Sequence, residues 1–80
     1  MQKKKSLVQQ TADELYRLIV DENEFKPGEQ LPNENDLSLK LNISRTTLRE
    51  AVRILALQGI VTVLRGKGTF VSNEIPSANA

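Results

Sequence analysis

Apolar residues recur along this chain with a helical period as far as Gly59 and with a strand-like period beyond it. Over residues 6–23, Val8, Ala12, Leu15 and Ile19 follow one another at spacings of three and four, with Leu18 flanking. That spacing predicts an amphipathic helix capped by Ser6, its stripe widened by Leu7 and Val20. Tyr16 falls at the stripe's edge and reads as a packing residue. The acidic run Asp21, Glu22 and Glu24 sits at the helix C-terminus, where the dipole disfavours it, and reads as a solvated surface. Pro27-Gly28 then marks a tight connection that anchors Phe25 and Leu31 in the core.

A second helix is predicted from an Asn33 cap to about Asn42, with Leu37, Leu39 and Leu41 on its apolar side. Asp36 occupies the capping-box position, and Glu34 and Asp36 place negative charge at the positive end of that helix. Ile43 is the buried residue of the following turn. Ser44 caps a third helix over 45–58, and Gly59 can take the left-handed conformation that closes it. Leu48, Ala51, Val52 and Leu55 lie within one arc of about 100°, the width of a core-facing stripe. The opposite arc carries Thr46, Arg49, Glu50 and Arg53, with Arg45 at its edge and Thr47 at the start of the helix. Leu57 is a misfit on the polar arc, either tucked under the segment beyond Gly59 or meeting a partner.

Two helices joined by a turn of about three residues make a helix-turn-helix, whose second helix enters the DNA groove. After Gly59, the β-prone runs Ile60 to Leu64 and Thr69 to Val71 flank Arg65-Gly66-Lys67-Gly68, which predicts a β-hairpin with a basic tip, a wing. The expected fold is therefore mainly α with a small β-hairpin, a winged helix-turn-helix over residues 6–72. A basic arm over 1–5 precedes it, and a linker-like tail over 73–80 comes after it.

Eighty residues make one small domain whose core supplies roughly 3–5 kcal/mol of net stability. With neither cysteine nor histidine, the chain lacks disulfides, thiolate metal sites and the commonest general base. No apolar run reads as a signal peptide or membrane span, so a cytoplasmic location is expected. The net charge of +1 conceals two opposed fields. Residues 6–36 hold two basic and eight acidic side chains, a net −6, while residues 37–73 hold six basic and one acidic, a net +5. Such asymmetry is the footprint of a surface facing a polyanion.

That charge decides between the readings open for each motif. The third helix alone could be a merely solvated basic face, but arginine forks suit guanine O6 and N7, while hydroxyls and backbone N–H groups suit phosphates. The glycines at 66 and 68 precede a strand, so they do not form a nucleotide-binding loop. Their freedom from side chains beside Arg65 and Lys67 fits a minor-groove or phosphate contact. Glu29, Glu34 and Asp36 match no calcium-loop pattern, so neither a metal nor an enzyme activity is expected. Tyr16, Phe25 and Phe70, the only aromatics, all read as core residues, which disfavours RNA recognition by stacking.

The stretch PGEQLPNENDLSLKLNISRTTLREAVRILALQGIVTVLRGKGTFV resembles the DNA-binding domain of GntR-type bacterial transcription regulators. The resemblance rests on Pro-Gly followed by Leu-Pro, the Ser-Arg-x-Thr-x-Arg-Glu-Ala run, the glycine after the third helix, and Gly-x-Gly-Thr-Phe-Val at the wing. It implies a repressor that binds double-stranded DNA at a palindromic operator as a homodimer, at the nucleoid and without a cofactor. Arg49 would read guanine, while Arg45, Thr46 and Thr47 would hold phosphates. Gly66 and Lys67 would enter the minor groove. Ser44, Arg53, Arg65 and Thr69 complete the candidate DNA-binding set, together with Asn35. Many relatives have Ser-Glu-Arg where this chain has Asn33-Glu34-Asn35, which exchanges a charged contact for a neutral one. Family members continue into a larger C-terminal domain that binds a small-molecule effector and supplies much of the dimer interface. The chain is thus expected to be the DNA-binding module without that sensor. The alternative of a different class is a winged-helix protein-interaction module that docks its basic face on an acidic partner.

Overall fold

The computed structural model describes residues 5–74. Most of the basic arm and residues 75–80 of the tail lie outside the described residues. The elements in chain order are α1 (Leu7–Tyr16), a π-helical turn (Arg17–Asp21), α2 (Glu34–Leu41), α3 (Arg45–Leu57), β1 (Val61–Leu64) and β2 (Gly68–Val71). All three α-helices begin at the caps expected of them. Ser6 Oγ accepts from Gln9 N at 3.0 Å, Asn33 Oδ1 from Asp36 N at 2.8 Å, and Ser44 Oγ from Thr47 N at 3.1 Å. The capping box at α2 is only half formed. The Asp36 carboxylate accepts from the Asn33 side-chain amide at 3.1 Å.

The predicted first helix is not α-helical throughout. Past Tyr16 the chain widens into a π-helical turn, closed by Glu22 N donating to Arg17 O at 2.9 Å. The wider turn keeps Leu18 and Ile19 buried beside Leu15. The acidic run at its end is exposed, as expected, and two of its carboxylates form surface ion pairs. Arg17 pairs with both Glu14 and Glu22, and Lys40 reaches Glu24 at 3.5 Å.

One apolar cluster joins Leu15 and Ile19 of the first helical segment to Leu37 of α2 and Leu48, Ala51 and Leu55 of α3. Ala12, Leu18, Phe25, Leu31, Ile60, Val61 and Val71 complete it. Val52, Leu41 and Ile43 are half-buried against it. Leu39 is 71% exposed, a correction to its predicted place in the core. At 100° per residue it stands opposite the face shared by Leu37 and Leu41. Leu7 is also exposed, at the rim of a shallow hollow that it shares with Lys40, Leu41 and Ile43. Leu57 is 84% exposed, so the wing does not cover it.

Asn42 adopts φ +58° and ends α2, leaving Ile43 and Ser44 to turn the chain into α3. Gly59, at φ +80°, ends α3 as expected. The hairpin pairs Val61 with Val71 and Leu64 with Gly68 in antiparallel register. Val71 faces the core, so its neighbour Phe70 must face away from it. Phe70 is only half-buried and stands outside the apolar cluster, which corrects its reading as a core residue. The Pro27-Gly28 turn is closed by Glu29 N donating to Lys26 O at 2.9 Å, with Gly28 at φ +83° as a type II turn requires. The connection does more than turn. Gly28 N, Leu31 N and the Glu29 carbonyl each bond to β2 at 2.8 Å, so residues 28–31 brace the wing along its free edge.

Candidate nucleic-acid interface

The wing runs past the core, leaving Val63 and Leu64 exposed and opening a groove of about 790 Å³ between its inner side and α3. Arg49, Arg53, Arg65, Gly66, Lys67 and Thr69 all line this groove. Six of the eleven candidates, from two distant parts of the sequence, therefore share one concavity. Ser44, Arg45, Thr46 and Thr47 do not line it; they form the N-terminal end of α3. Asn35 lies exposed on the first turn of α2, and its carbonyl accepts from Ser38 Oγ.

At the start of α3 the Ser44 hydroxyl is committed locally. It accepts from Thr47 N and shares its own proton with Thr47 Oγ1 at 2.9 Å. The Thr47 hydroxyl proton and the N–H groups of Arg45 and Thr46 have no intrahelical partner, as the first turn of any helix requires. This cluster of donors suits an anion. Arg45, Arg53, Arg65 and Lys67 are exposed and form no salt bridge among the described residues.

Arg49 differs from them. Its Nε donates to Glu34 Oε2 at 2.6 Å and its Nη2 to Glu34 Oε1 at 3.0 Å, a two-pronged fork across the helix-turn-helix. The Arg49 hydrogen bond is the main cause that holds the Glu34 carboxyl below its ordinary range; the nearby charges of Arg49 and Arg45 add to it. The same pairing raises the Arg49 guanidinium. A carboxyl held down in the folded chain contributes its pairing at neutral pH and loses it as acidification passes through the lowered pKa. A carbon-detected NMR titration should therefore place the Glu34 midpoint below the ordinary value of about 4.3, and Arg49→Ala should move it back up toward that value.

The wing tip is held from outside the hairpin. Lys67 N donates to Leu64 O at 2.9 Å to close the turn, with Gly66 at φ +76°. The Gln30 amide then donates to Lys67 O at 2.9 Å. Gly68 is required at the base of the tip: its φ is +128°, and a Cβ there would meet Gln30 Nε2 at 2.5 Å. A Cβ at Gly66 would meet nothing within 4 Å beyond its two chain neighbours, so the tip backbone is open to approach. Sequence reasoning passes over Gln30 altogether, and over the pairing of Glu34 with Arg49. Their partners lie 37 and 15 residues away, and no local pattern encodes either contact. The three carboxylates weighed as a cation site are engaged elsewhere: Glu29 with Lys26 N, Glu34 with Arg49, and Asp36 with Asn33.

Three helices, the last two set as a helix-turn-helix, followed by a braced two-stranded hairpin, define a winged helix-turn-helix domain. The chain belongs to the gntR family of bacterial regulatory proteins, whose family model matches residues 7–71. It is 40% identical over 70 residues to the mannosyl-D-glycerate transport/metabolism system repressor MngR of Escherichia coli, an alignment that covers 88% of this chain and 29% of that protein. It is 48% identical over 52 residues to the fatty acid metabolism regulator protein of Shewanella halifaxensis, covering 65% of this chain and 22% of that one. The chain spans less than a third of the length of the curated relatives it matches. Among solved structures, the AraR DNA-binding domain in complex with an operator superposes with a TM-score of 0.78 at 30% identity, covering 86% of this chain and 83% of that one. A GntR protein of Streptococcus agalactiae gives a TM-score of 0.74 at 49% identity, covering 81% of this chain and 31% of that one.

Proposed function

We propose that this chain is the sequence-reading DNA-binding unit of a bacterial transcription regulator, acting as a repressor. The observation that carries the reading is the shared groove, with the arginines of α3 on one wall and the cations of the wing tip on the other. In this reading α3 enters the major groove of the duplex, and Arg65, Gly66 and Lys67 reach the adjacent minor groove or its phosphates. Arg45, Thr46 and Thr47 hold the backbone at the helix N-terminus, with Ser44 shaping that turn. Arg49 reads a guanine, and Arg53, Thr69 and Asn35 border the contact. MngR is named as a repressor and the AraR domain was captured on an operator, and both precedents point the same way. The site of action is the nucleoid, and the target is a palindrome bound by two copies. Effector sensing would belong to a further domain of the kind found in longer relatives.

Four to six phosphate contacts per domain give a slope of log K against log salt of about −4 to −5. Lys67→Ala should weaken binding to all duplexes by similar factors and reduce that slope by about one. Fluorescence anisotropy across a salt series checks both. Selection from a pool of random duplexes at near-physiological salt tests the reading itself. A short palindrome, or its half-site, is the expected product. A folded chain that enriches no sequence would contradict specific recognition and favour the protein-interaction alternative.

A further inference from the structure

Among the described residues, Glu34 is the one carboxylate that lines the proposed DNA-facing groove, and its position is hard to reconcile with simple charge attraction. A negative charge there opposes phosphate, so it must either weaken the interface or shape it. The geometry favours shaping. Glu34 is the first residue of α2, placed by the Asn33 cap, and it takes the Nε and Nη2 edge of Arg49. A guanidinium has five N–H donors, and this fork uses two. The end-on edge, with one Nη1 proton and the second Nη2 proton, remains free. That edge carries the paired donors that match guanine O6 and N7.

Resting on the DNA-binding reading, we infer that Glu34 is a positioning residue that sets sequence discrimination by clamping Arg49. The clamp has two effects. Arg49 loses rotational freedom, so its free edge is held in one plane and presented in one direction. Its charge is also locally neutralised, so it gains less from an arbitrary phosphate than an unpaired arginine would. Both effects lower affinity for non-specific DNA while preserving the directional contact, which is discrimination through a built-in repulsive element. The pair is exposed, with Glu34 and Arg49 side chains 36% and 62% accessible, so folding does not depend on it.

The test compares the wild-type chain, Glu34→Gln, Arg49→Ala and the double variant. Each is titrated with the duplex most enriched by the wild-type chain and with a scrambled duplex of the same composition. Glu34→Gln is expected to tighten binding to the scrambled duplex and to lower the ratio of the two affinities about 3–10-fold, a fraction of what a bidentate base contact contributes. In the Arg49→Ala background the same substitution should change that ratio less than about 2-fold, because the two residues act as one unit. A merely structural role would lower the melting temperature and weaken both duplexes together. An unchanged ratio in Glu34→Gln, or an equal fall with and without Arg49, would overturn the inference. Failure of the wild-type chain to enrich any duplex is a different result, and it counts against the DNA-binding reading instead.

Discussion

Leu15→Ala is expected to leave a large fraction of the chain unfolded at room temperature. Leu15 is fully buried where α1 packs on α3, and its removal opens a cavity at the centre of the core. Such truncations cost about 2–5 kcal/mol, the lost transfer energy plus the cavity that incomplete collapse leaves behind. A domain of this size has roughly 3–5 kcal/mol to lose, and with no cysteine it has no disulfide to supplement that. Urea denaturation followed by circular dichroism should show a midpoint displaced nearly to zero denaturant. Leu57→Ala is the matched control: the same atoms are removed from an exposed site, and the change should stay within about 0.5 kcal/mol.

Arg49→Ala is expected to have the largest effect on recognition. On the selected duplex it should cost about 1–3 kcal/mol, and base substitutions at the contacted position should then bind more nearly alike. On scrambled DNA the loss should be smaller, because there is no base contact to lose and only the change of charge acts, with Glu34 left unpaired in the groove. Competition titrations with single-base variants of the selected duplex measure this. Were every duplex weakened by the same factor with the ranking unchanged, Arg49 would be a phosphate contact and the base-reading role would pass to another residue. The contrast with Lys67→Ala is the informative part. That substitution removes an unpaired tip cation and should act on affinity without acting on rank.

Much of this architecture is legible in the sequence because local chemistry and tertiary demand agree in it. The caps Ser6, Asn33 and Ser44 satisfy first-turn N–H groups whatever surrounds them, so each helix start can be read from its own residues. The core stripe of α3 and the glycine that ends the helix emerge from periodicity and backbone freedom in the same way. The errors occur where burial depends on which face a neighbour covers. Leu39 and Leu7 are apolar residues at the margins of short helical faces, and only the placement of the other elements decides that they remain in water. The size of Phe70 suggests a core residue, whereas strand alternation beside Val71 turns it outward. The π-helical turn after Tyr16 is hidden because its spacing still delivers Leu18 and Ile19 to the core.

The candidate interface is legible in composition but not in geometry. Charge segregation and the two basic motifs locate α3 and the wing tip as one surface. Nothing local indicates that Arg49 is held by Glu34, or that the tip is fastened by Gln30. Both contacts join segments that meet only after the chain has folded. They also change the chemistry: among the described residues of the groove, Arg49 is the arginine with a fixed plane, while Arg53 and Arg65 have no such restraint.

Methylation interference on the selected duplex would show which groove each part of the domain occupies. Guanine N7 lies in the major groove and adenine N3 in the minor groove, so modification at each reports which groove a side chain enters. With α3 in the major groove, methylating N7 of one guanine in each half-site should block the wild-type chain and no longer matter to Arg49→Ala. Adenine N3 methylation beside the half-site should interfere through the wing. Binding that tolerates N7 methylation at every guanine would contradict the placement of α3 in the major groove.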